Sequence, residues 1–174
     1  MGDLGNKLRN AGDWLAKHIP GFAGYVKREE RRRADKIFRD YLVGKLRDAK
    51  SRLSRATVKI TDAGDLNALK TLSRVEAKYE TVTDRLRLAD YGYTGWFDTV
   101  QIDFDELDKL YEFDVNLTMS VDQICKIAQD MEAGSSEEAS KLIMTLNQSL
   151  DELDKKLKQR DNLFIQELNF NRSE

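Results

Sequence analysis

One histidine (His18), one cysteine (Cys125) and one proline (Pro20) among 174 residues leave little of the chemistry on which most active sites are built. Zinc centres need several Cys or His ligands and di-iron bundles need two Glu-x-x-His pairs, so neither is expected. A single thiol excludes an internal disulfide and fits a reducing cytoplasm. No apolar run approaches the roughly 18–20 residues needed to cross a bilayer. The first residues lack the unbroken apolar stretch of a secretion signal, and Asn6 stands where a myristoylation start has Ser or Thr. The sequence has no P-loop, no Gly-x-Gly-x-x-Gly and no Gly-x-Ser-x-Gly. The expectation is a cytoplasmic protein that is not an enzyme, with no cofactor, no metal and no small-molecule substrate.

What is abundant is charge, at 34% of the residues, and it is unevenly divided. Residues 1–60 hold 16 Lys/Arg against 7 Asp/Glu, and residues 90–174 hold 8 against 19. A net of −2 therefore hides a basic first third and an acidic second half. Such a division makes a face for an anionic partner, or pairs the chain with itself.

Glycine marks the ends of the periodic segments. Five of the ten glycines fall within the first 24 residues, and Gly64, Gly92, Gly95 and Gly134 sit where apolar periodicity breaks. Between them the apolar residues recur at alternating steps of three and four, the mark of helices packed as in coiled coils. The seams are Leu42, Leu46, Ala49, Leu53, Ala56 and Ile60, then Leu72, Val75, Tyr79, Val82, Leu86 and Ala89. The next is Leu110, Asp114, Leu117, Val121, Ile124, Ala128 and Met131. The last is Ala139, Ile143 (or Leu142), Leu146, Leu150, Leu153, Leu157 and Phe164. Asp65 before one segment, Asp103 with Glu106 before the next, and Ser135 with Glu138 before the last read as N-caps. The fold expected is all-α. An N-terminal arm (1–26) precedes an elongated antiparallel four-helix bundle (27–174), with helices over about 27–60, 66–90, 103–132 and 136–168.

Three segments are candidates for contact with a partner. In the arm, Leu4, Leu8, Ala11, Leu15 and Ile19 fall within about 80° of a helical wheel. Trp14 flanks this stripe and Phe22 follows it. The stripe suits a membrane surface, a protein groove or docking on the bundle itself. Next, Arg28, Arg31, Arg32, Arg33, Lys36 and Arg39 form a basic patch, suited to anionic lipid, to phosphates or to the acidic half of the chain. Third, Tyr91, Tyr93, Trp96 and Phe97 lie with two glycines in a connector, where aromatics either plug a bundle end or form a recognition loop.

Asp114 occupies a seam position, and a buried carboxylate has to be paired or neutralised. Lys36 or Arg39 is the expected partner, in a structural ion pair. Cys125, beside Ile124, reads as a small core residue. The run Asp103–Asp108 lacks the alternating ligands and central glycine of a calcium loop.

The strings Ile19-Pro20-Gly21-Phe22-Ala23-Gly24-Tyr25, Arg-rich Asp35-Lys36, Tyr91–Asp98 and Leu107-Asp108-Lys109-Leu110-Tyr111-Glu112-Phe113-Asp114 together resemble a family of small uncharacterised bacterial all-helical proteins. The resemblance implies a bacterial cytoplasmic protein and no particular activity. The function expected is that of an adaptor or scaffold, engaging a protein partner or an anionic membrane surface through the arm and the connector. In the membrane case the protein is peripheral, at the inner face. The alternatives are a self-assembling coiled-coil protein and an RNA- or ribosome-binding protein using the basic patch.

Overall fold

The computed structural model describes residues 2–89 and 104–170, with side chains from 10 to 89 and from 106 to 162. The aromatic connector and the side chains of Leu4, Leu8 and Phe164 lie outside the described residues. Among the described residues the protein is all-α, without a strand. Its helices are α1 (Gly2–His18), α2 (Arg31–Asp62), α3 (Leu66–Leu88), α4 (Phe104–Ala133) and α5 (Ser136–Phe170), with a 3-10 turn at Arg28–Glu30 before α2. The chain forms two compact units: Met1–Tyr41 with Arg87–Thr118 and Lys156–Glu174, and Leu42–Leu86 with Met119–Lys155. Helices α2, α4 and α5 each contribute to both.

The second unit is the more regular. Its interior is made by the apolar seams: Leu46, Leu53 and Ile60 of α2, Leu72 and Leu86 of α3, Val121, Ile124 and Met131 of α4, and Leu146, Leu150 and Leu153 of α5 are all buried. At the α5 alternative, Ile143 is buried and Leu142 is half-buried. Two of the three expected caps form, and Asp103 of the third lies outside the described residues. Asp65 Oδ1 accepts from the Ala68 amide at 3.0 Å, after Gly64 turns the chain with φ +71°. Ser135 and Glu138 close a reciprocal box, the Ser135 amide donating to Glu138 Oε2 at 2.7 Å and the Glu138 amide to Ser135 Oγ at 3.3 Å. Those hydrogen bonds hold the Glu138 carboxyl below its ordinary value.

The order of polar contacts gives helix direction. Tyr79 donates to the Leu46 carbonyl at 2.6 Å and Thr57 to Glu76 at 3.1 Å, so α3 runs back along α2. Between hairpins the contacts climb together. Lys45 meets Asp122, Arg52 and Arg55 meet Glu132 at 2.6 and 2.5 Å, and Lys59 reaches the Glu132 carbonyl of α4 and the Gly134 carbonyl just past its end at 3.1 Å. Helices α2 and α4 are therefore parallel in this unit. The same holds for α3 and α5, where Lys78 meets Asp151 at 2.7 Å and Arg85 meets Asp154 at 2.6 Å. Antiparallel neighbours follow from the short turns within each hairpin, and like-directed helices face each other between hairpins. This arrangement sets basic α2 against acidic α4, so the charge asymmetry of the sequence is largely used internally here. Each such surface pair contributes at most about 1 kcal/mol.

In the first unit the arm is part of the fold. Leu15, Ile19, Phe22 and Tyr25 are buried together with Phe38 of α2 and Leu107, Leu110 and Tyr111 of α4. After α1, Gly21 and Gly24 adopt φ +80° and +83°, a region that disfavours side chains. At Gly24 a Cβ would also lie 2.7 Å from the Tyr111 hydroxyl oxygen. Gly24→Ala is expected to lower the unfolding free energy by about 2–3 kcal/mol, as measured by denaturant titration. Wild-type stability in that variant would show that the turn is not held as described.

Candidate functional site

Extending the heptad seams beyond their apolar stretches exposes an unusual layer in the first unit. Stepping back from Leu42 by three and four reaches Arg39 and Asp35, and stepping on from Leu157 by three reaches Arg160. With Asp114 of α4, these are four buried charged residues at seam positions among the described residues. All are buried: Asp35 and Asp114 are 0% exposed, Arg160 1% and Arg39 2%.

The four form one hydrogen-bonded network. Arg160 Nε donates to Asp114 Oδ1 at 2.7 Å, and Arg160 Nη2 donates to Asp35 Oδ1, also at 2.7 Å. Arg39 Nε donates to Asp35 Oδ2 at 2.8 Å, and its Nη1 to the Arg87 carbonyl at 3.2 Å. The Phe38 ring lies 5.4 Å beneath the Arg160 guanidinium, in cation–π range. Two carboxylates and two guanidinium groups balance, so no net charge is buried among them. The expected partner of Asp114 is thus corrected. Arg39 turns to Asp35, four residues earlier on its own helix, and Lys36 points to solvent. The reason is geometric: a seam position on α5 faces the Asp114 seam, whereas Lys36 lies off the α2 seam.

The arm is keyed into this network by Tyr25, whose hydroxyl donates to Asp114 Oδ2 at 2.5 Å. The Tyr25 amide donates to the Tyr111 hydroxyl at 2.6 Å, and Arg31 Nε donates to the Tyr25 carbonyl at 2.7 Å. Every polar group of Tyr25 therefore has a partner, and Phe22 packs edge-on against its ring with centroids 5.3 Å apart. Burial pushes the Asp114 carboxyl up, against the pull of Arg160 and Tyr25. Burial and the nearby Asp114 charge hold the Tyr25 phenol well above its ordinary value. The arrangement holds charge and orients neighbours. A phenol so raised is neither base nor nucleophile near neutral pH.

Three buried tyrosines make the protein sensitive to alkali. The phenols of Tyr25, Tyr79 and Tyr111 are all raised above 10.0, by burial first. Their contribution is intact below that value. It is lost as pH rises from there towards the folded-state values, because the unfolded phenols ionise first. Each removes up to about 1.4 kcal/mol per pH unit. Unfolding monitored by tyrosinate absorbance should begin above pH 10 and release about three protons together. Smooth titration of all tyrosines without unfolding would contradict this.

The other sequence candidates separate by burial. Leu15, Ile19 and Phe22 face inward, whereas Trp14 is half-buried on the outer side of α1. Its ring stacks on His18 at 3.9 Å, and His18 Nδ1 donates to the Trp14 carbonyl at 2.7 Å. Within the basic patch Arg31 and Arg39 are buried, while Arg28, Arg32, Arg33 and Lys36 are exposed. Cys125 is half-buried, with burial raising its thiol. Among the described residues no group of three His, Cys, Asp or Glu side chains could hold a metal ion, and no helix is long and apolar enough to cross a membrane.

Beside Trp14 the surface is concave. A cavity of about 450 Å³, open to solvent, is lined by Asn10, Ala11 and Trp14 of α1 and Glu112, Val115 and Asn116 of α4. Its lining surface is mainly apolar. No family model, curated protein or solved structure matches the chain, and what it does has to be read from this geometry.

Proposed function

We propose that this protein is a non-enzymatic cytoplasmic adaptor that engages a protein partner through the outer surface of its arm, with the second unit, a four-helix bundle, as the scaffold. The observation that carries this reading is the open groove beside half-buried Trp14, on the flank of the buried stripe of α1, between α1 and α4. A tryptophan at the edge of an apolar concavity is the residue type on which protein interfaces concentrate their binding energy. The polar network supports the reading from the inside, since it fixes the arm that forms one wall.

A membrane-surface role fits less well. It would require Leu15, Ile19 and Phe22 to leave the interior, at about 1.5–3 kcal/mol for each side chain.

The test is site-specific photo-crosslinking in cells, with a benzophenone amino acid at position 14 and, as control, at exposed Arg74 of α3. The proposal expects one dominant protein adduct from position 14 that is missing from position 74. Equal, diffuse labelling at both positions would sink it, as would flotation of the full-length chain on anionic vesicles with no protein adduct.

A further inference from the structure

We draw no further inference here: the strongest candidate, the apolar groove between α1 and α4 beside Trp14, belongs to the site already described, and nothing in the structure shows what covers it.

Discussion

Replacing Arg160 by methionine should lower the unfolding free energy by about 3–5 kcal/mol, among the largest losses for a single substitution in this chain. The change keeps a long unbranched side chain, so little volume is lost. What is lost is the group that joins Asp114 and Asp35, with hydrogen bonds of 2.7 Å to each. Both carboxylates are 0% exposed, and of the two buried guanidinium groups that balance them only Arg39 would remain among the described residues. An uncompensated charge in the interior costs several kcal/mol, far more than the net worth of the pair. The sign of the pH dependence follows. Burial already pushes Asp114 up, and removing Arg160 pushes it further. A carboxyl raised in the folded state adds stability below its ordinary value of 3.8, and that stability is lost as pH rises through the folded-state value. The deficit of the variant should therefore be smallest near pH 4 and grow towards pH 7, as read by urea titrations across that range. A deficit that is equal at both pH values would mean that lost packing, and not stranded charge, is responsible.

The helices were legible in the sequence because their seams are regular. Leu46, Leu53, Ile124 and Leu146 stand at alternating steps of three and four, and all are buried. The caps at Asp65 and Ser135 were legible too, since capping is local chemistry. The centre of the first unit was only half legible. Asp114 announced itself as a carboxylate on a seam, but Arg160 did not, because the apolar members of the α5 seam pass from Leu157 to Phe164 in one step of seven. The same rule that found the apolar seam, applied to charged residues, places Asp35, Arg39 and Arg160 in it. Tyr25 carried no such signal. It lies in the irregular segment after α1, and its position against Asp114, 89 residues away, depends on the glycine turns that bring the chain back. The parallel contacts between hairpins in the second unit were likewise beyond periodicity, which fixes the face each helix buries and not the neighbour it chooses.

If the polar layer specifies one arrangement and contributes little net stability, removing all of it should be harmless where removing one member is not. The combined variant Tyr25→Phe, Asp35→Leu, Arg39→Met, Asp114→Leu and Arg160→Met replaces the network by apolar groups of similar total volume. It leaves no buried charge and no orphaned hydroxyl among the substituted positions. Buried ion networks exchanged in this way are commonly neutral or gain about 1–4 kcal/mol, so the variant should equal or exceed the parent in denaturant titration and stand well above Arg160→Met alone. The cost should appear as lost uniqueness. With Asp35, Arg39, Asp114 and Arg160 gone, the α2, α4 and α5 seams become apolar through this layer. A shift of α5 by one heptad would then bury leucine against leucine, where in the parent it strands two carboxylates. The arm would lose the Tyr25 hydrogen bond that sets its depth. Amide spectra should accordingly show broadened or doubled resonances for residues 15–25 in the combined variant and single sharp ones in the parent. Should the combined variant prove as unstable as Arg160→Met, with sharp single resonances, the network would be a source of stability in its own right and register would be set by the apolar seams alone.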